Sequence, residues 1–190
     1  MKTVYYTAAS LDGYIADPGH SLAWLFQFED GDDAGFGSFM REVGAIAMGS
    51  HTYEWILGNY IYEDPENPRA WPHEQPTWVF TSRSLRDIPG ADIRFVSGDV
   101  APVFEDMREA AAGRNLWLAG GGDLAAQFHE RSLLDELVVT IAPVLLGGGA
   151  PLFTGRIVSP PLRVLEVRPQ ASGLTEMQLA VRRSSGGAES

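Results

Sequence analysis

The feature that most constrains this chain is a repeated succession. A short apolar run rich in β-branched and aromatic residues meets glycine or a small polar residue, and an amphipathic stretch follows. The runs fall at residues 3–9, 45–49, 77–81, 93–96 and 116–119, and helical spacing of apolar residues follows or precedes them at 35–43, 52–57, 100–111 and 123–131. Asp99 is placed to cap the third of these helices and Gly113 to end it. Strands that alternate with helices must be joined by crossovers, which predicts an α/β three-layer sandwich with a mostly parallel central sheet and helices on both faces. Residues 137–144 are strongly β-like, and 162–168 and 174–182 follow without an intervening helix, joined near Ala171-Ser172-Gly173 as a hairpin. These strands are expected to form an antiparallel C-terminal edge. No repeat or Gly/Ser/Pro-rich linker divides the chain, so we expect one domain over 1–183 and a disordered tail over 184–190.

Composition narrows the chemistry. The 190 residues include no cysteine, which removes disulfides, thiolate nucleophiles and cysteine-bound metals. Lys2 is the only lysine among the 14 basic residues, so Schiff-base chemistry and a phosphate-loop lysine have almost no candidate. The formal charge of −11 disfavours a phosphate-tracking surface, and we expect neither nucleic acid nor membrane as a partner. The acidic stretches 17–33 and 54–74 are expected to be solvated loops. The first residues lack an apolar core with a cleavage site, and a cytoplasmic protein is expected. The four histidines show no pair at ligand spacing, so no metal site is expected.

Three strand ends carry candidate chemistry. Gly120-Gly121-Gly122-Asp123 joins a strand to a helix, where backbone can approach a ligand closely and unpaired N–H groups favour an anion. A tight turn with Asp123 as helix cap is the structural alternative. Gly49-Ser50-His51-Thr52 repeats the arrangement, with an ordinary Ser/Thr cap as its alternative. Thr81, Ser82 and Arg83 offer two hydroxyls and a guanidinium suited to a phosphate monoester, or simply a solvated strand end. On one carboxyl edge of a parallel sheet, the three together describe a nucleotide site.

The segments SLDGYIA (10–16), LAWL (22–25), AIAMGSHTYE (45–54), VFTSRSL (79–85), LWLAGGGDL (116–124) and LLDELVVTIAPVLLGGGAPLF (133–153) follow one another in an order that resembles the dihydrofolate reductase-like superfamily. Within it, the chain is most similar to the reductase domain of bacterial riboflavin biosynthesis, the RibD C-terminal type, as a free-standing member. The resemblance covers roughly residues 1–182. It implies the dihydrofolate reductase-like fold, a homodimer, and an NADPH cofactor, with NADH as the alternative. Gly120, Gly121, Gly122 and Asp123 would hold the pyrophosphate, with Gly49, Ser50, His51 and Thr52 opposite. Thr81, Ser82 and Arg83 would surround the adenosine ribose and its 2′-phosphate, and Ala8 and Ile15 would lie near the nicotinamide. Ser50 departs from the arginine usual in the family.

The resemblance thus implies hydride transfer to a small heterocyclic or ribosyl-type carbonyl or imine, with a small molecule as substrate. Asp12 and Trp24 are the candidate catalytic residues; for Asp12 the structural alternative is capping its own turn. Asp17 and Glu54 are further candidates for the substrate pocket. No acid aligns near Trp24, where dihydrofolate reductases proper carry one, which argues against a folate. The rival reading is a non-catalytic nucleotide- or ligand-binding protein on the same fold, and a third is a scaffold that dimerises through the face of 138–144.

Overall fold

The computed structural model describes residues 1–28 and 34–182. An eight-stranded sheet runs in the order β5-β4-β3-β6-β1-β7-β10-β9. Its strands are β1 (Thr3–Ser10), β3 (Val43–Gly49), β4 (Thr77–Phe80), β5 (Ile93–Val96), β6 (Asn115–Gly120), β7 (Glu136–Ala142), β9 (Arg163–Pro169) and β10 (Thr175–Ala180). The first six are parallel neighbours, while β10 pairs antiparallel with both β7 and β9. The mostly parallel sheet and its antiparallel edge are as the alternation predicts. A two-residue β8 (Ala150–Pro151) pairs with β2 (Tyr14–Ala16) above the sheet, a feature too short to leave a period in the sequence.

Alternation along each strand builds two cores. Ala45 and Ala47 of β3, Leu116 and Leu118 of β6 and Tyr5 of β1 face α4 (Val100–Ala110) and α5 (Gly122–Glu130), packing with Met107, Leu124 and Phe128. Val43, Ile46 and Met48 face the other way, with Trp117, toward α2 (Ala34–Glu42) and α3 (Ser50–Ile56). Helices therefore cover both faces. Asp99 caps α4 by accepting from the Ala101 N–H at 3.0 Å, and Gly113 lies in the left-handed region (φ 84°) after the helix ends.

Several boundaries differ from the sequence expectation. Val43 begins β3 instead of closing α2, because its β-branched side chain is buried in the second core. The helix expected at 52–57 starts at Ser50, capped by extended Gly49, and continues as a π-type turn over Leu57–Ile61. The short helix α1 (Ala23–Phe26) went unpredicted, and residues 29–33 of the first acidic stretch lie outside the described residues. The second acidic stretch is not wholly solvated. Ile61 is 1% exposed, and Trp71 packs beside Tyr53 at 5.6 Å between ring centroids. The strand at 137–144 is β7, which lies between β1 and β10 with Val138 and Val139 buried. The tail over 184–190 lies outside the described residues.

Candidate functional site

The carboxyl ends of β4, β3, β6 and β1 lie side by side. From β3 the chain passes through α3 to β4 on one side, and from β6 through α5 to β7 on the other. That divergence makes the β3/β6 boundary a switch point, where a parallel sheet opens a crevice. Here the two glycine-bearing turns meet. A Cβ on Gly120 would come within 2.5 Å of Thr52 Oγ1, so glycine here leaves room for the Thr52 side chain of α3 against the end of β6. Gly121 has φ 97° and caps α5 with no side-chain hydrogen bond, leaving backbone N–H groups at the first turn for an anion. A Cβ on Gly122 would lie 2.3 Å from the Pro151 carbonyl oxygen, so this glycine seats α5 under β8. Asp123 is in the first turn, not the cap; its Oδ2 accepts from Gln127 Nε2 at 2.7 Å.

A cavity of about 280 Å³ occupies the crevice and is lined by Ile15, His51, Thr52, Gly120, Gly121, Gly122 and Asp123 among others. Its remaining lining includes residues that the motifs did not indicate: Thr7, His20, Trp55, Ala119 and Thr154. His20 stacks on His51, with ring centroids 4.9 Å apart and planes 6° from parallel. A second cavity of about 490 Å³ adjoins it and is lined by Ala8, Tyr6, Phe26, Phe36, Trp117 and Thr140 among others. Thr7 and Ala119 line both. The alternation of β1 and β6 could have pointed to Tyr6 and Trp117, but their apolar character reads as core from sequence.

The remaining predicted residues fall outside these cavities. Gly49 and Ser50 stand at the β3–α3 junction without lining either one. Thr81, Ser82 and Arg83 follow β4 beside α3, where Thr81 Oγ1 accepts from the Arg83 N–H at 3.0 Å. The Arg83 guanidinium is forked onto Glu54, at 3.0 and 2.6 Å, so Glu54 holds this arginine and lines neither cavity. Asp17 Oδ1 accepts from Gly19 and Ser21 N–H groups and closes its own turn. Trp24 lines neither cavity; its indole N–H is buried without a hydrogen-bond partner.

Asp12 also lies outside both linings. It accepts from Ser10 Oγ at 2.6 Å and from the Leu146 and Gly147 N–H groups at 3.1 and 2.7 Å, clasping the loop before β8 to the first turn. The Ser10 hydrogen bond, aided by the two backbone donors, holds its carboxyl below the usual range. Behind the Tyr6 wall of the larger cavity, Glu176 on β10, 4% exposed, accepts from the Tyr6 hydroxyl and from Arg168 Nη2 at 2.6 Å.

An uncapped helix end on a glycine turn thus stands at a switch point beside two adjoining cavities, an arrangement able to receive an anionic group. The model of the RibD C-terminal domain family matches residues 2–175. This chain belongs to the RibD C-terminal domain family. Two Bacillus subtilis (strain 168) proteins are similar to it. The uncharacterized protein YwjB is 34% identical over 153 residues, covering 80% of this chain and 82% of YwjB, and the uncharacterized protein YyaP is 29% identical over 175 residues. A crystal structure of a protein from Shewanella sp. PV-4, provisionally assigned to riboflavin biosynthesis, superposes with a TM-score of 0.76 at 29% identity, covering 96% of this chain and all of that one. The bifunctional deaminase and 5-amino-6-(5-phosphoribosylamino)uracil reductase of Thermotoga maritima shares the fold, with a TM-score of 0.62 at 17% identity. This chain spans 56% of its length. As a RibD C-terminal domain, the chain has the dihydrofolate reductase-like fold that its segments resemble. No described helix is long and apolar enough to cross a membrane.

Proposed function

We propose that this RibD C-terminal-type chain is an NAD(P)H-dependent oxidoreductase that delivers hydride to the carbonyl or imine carbon of a small heterocyclic or ribosyl-type substrate. The observation that carries this reading is the pair of adjoining cavities that share Thr7 and Ala119 at the carboxyl ends of β1 and β6. One has the anion-binding turn and the other an aromatic lining. The nicotinamide, when bound, supplies the hydride. The α5 N-terminus and the Gly121 turn receive the pyrophosphate, with His51 and Thr52 facing them. Thr140 and the ring of Tyr6, whose hydroxyl is held by Glu176, line the acceptor side.

NADPH over NADH requires Arg83 to leave Glu54 for the 2′-phosphate. Glu54→Gln is therefore expected to raise the NADPH-to-NADH affinity ratio severalfold while changing stability by no more than about 0.5 kcal/mol, since exposed ion pairs contribute little. Titration followed by tryptophan fluorescence and urea unfolding check the two halves. The same titration tests the whole reading: absence of binding by either nucleotide overturns it. Binding without NAD(P)H consumption over a panel of pterins, flavins and pyrimidine ribosyl phosphates would favour a non-catalytic binding protein, a reading supported by the engaged state of Asp12. A cytoplasmic homodimer completes the proposal.

A further inference from the structure

The larger cavity differs in character from the smaller. Trp117, Phe36 and Tyr6 form an edge-on aromatic wall, with Phe36 5.3 Å from Trp117 and 5.5 Å from Tyr6 between ring centroids. Phe26 hangs at the mouth with 45% of its surface exposed, an apolar ring that a flat ligand would cover. The polar groups are neutral ones, chiefly Thr140 and Gln170. Among the described residues no Arg, Lys, His, Asp or Glu lines it. Arg168 is directed to Glu176 and borders the neighbouring cavity instead.

We propose that the larger cavity takes a planar, uncharged heteroaromatic ring without a phosphate ester. The inference rests on the reading of this cavity as the acceptor site of the reductase, and it narrows that reading by removing phosphoribosyl substrates. A phosphate ester carries close to two negative charges at neutral pH, and here it would lose water without gaining a cationic donor. A flat ring, by contrast, stacks or packs edge-on against Phe26, Phe36 and Trp117 and uses its ring heteroatoms on Thr140 and Gln170.

The test is calorimetric binding of two matched pairs, uridine with uridine 5′-monophosphate and riboflavin with its 5′-phosphate, to the full chain with and without saturating NADPH. NADPH binding is measured in the same samples. The expected result is that at least one unphosphorylated member binds, and does so at least about tenfold more tightly than its phosphate. Thr140→Arg, which adds a cation to the wall, is expected to shrink that ratio severalfold. Equal or tighter binding of the phosphates, or no binding of any of the four, overturns the proposal. If NADPH binds while the ring preference fails, the substrate class falls and the reductase reading stands. If the ring preference holds without NADPH binding, the reverse is true.

Discussion

At the residue scale, His73 shows how far a side chain can depart from its sequence context. The loop around it is acidic and rich in proline, yet its imidazole sits between the edges of Trp71 and Trp117, 5.6 and 5.5 Å between ring centroids. Burial pushes its pKa down to about 4, because the charged form loses water with no partner to replace it. A histidine that folds neutral contributes stability above its unfolded pKa near 6.5. That contribution is lost progressively as pH falls toward 4, by about 3 kcal/mol at most, since the unfolded chain binds the proton that the folded one refuses. We therefore expect His73→Phe to flatten this part of the acid dependence. The check is urea unfolding of both proteins at pH 7.5 and 4.5, where an equal loss in both would show that His73 contributes nothing. Asp12, in a signature segment, shows the complementary case: three donors engage its carboxylate and tie the loop before β8 to the first turn.

At the scale of elements, the glycine run 120–122 serves packing as well as ligand approach. Gly122 has no room for a Cβ, with the Pro151 and Leu152 carbonyl oxygens 2.3 and 2.7 Å from where it would stand, whereas Gly49 has nothing within 4 Å and a φ of −80° that any residue adopts. Gly122→Ala is thus expected to destabilise by roughly 1–3 kcal/mol as α5 is pushed from β8, and Gly49→Ala to stay within about 0.5 kcal/mol. Thermal unfolding distinguishes them, and equal effects would show that α5 is free to shift. The strand–turn–helix units were legible because each joins a continuous apolar run, as a strand buried on both faces requires, to a stretch of period 3.6. The β2–β8 pair and α1 were not: at two to four residues they are too short for a period to repeat, and the β2–β8 region is held by contacts distant in sequence, such as the Leu152 N–H to the Gly13 carbonyl at 2.8 Å.

At the scale of the whole molecule, β9 is an outer edge with Val164, Leu165 and Val167 at 55, 40 and 49% exposure. Apolar side chains beside unpaired backbone groups invite pairing, so if the chain is the proposed homodimer this edge is where we place its contact, in place of the enclosed β7. Light scattering is expected to give twice the 20.7 kDa of one chain, falling to 20.7 kDa in Val164→Lys/Val167→Lys; a monomeric wild type would dismiss the contact. The sequence by itself determined the layered α/β architecture, the antiparallel edge and the glycine turns at one end of the sheet, because these depend on local periodicity and backbone freedom. Only the tertiary structure decided which polar residues reach the crevice. Arg83 was taken up by Glu54 and Asp12 by the Leu146 and Gly147 backbone, while His20, Tyr6 and Trp117 entered the cavity walls, because these partners come from helices, strands and loops far away in sequence.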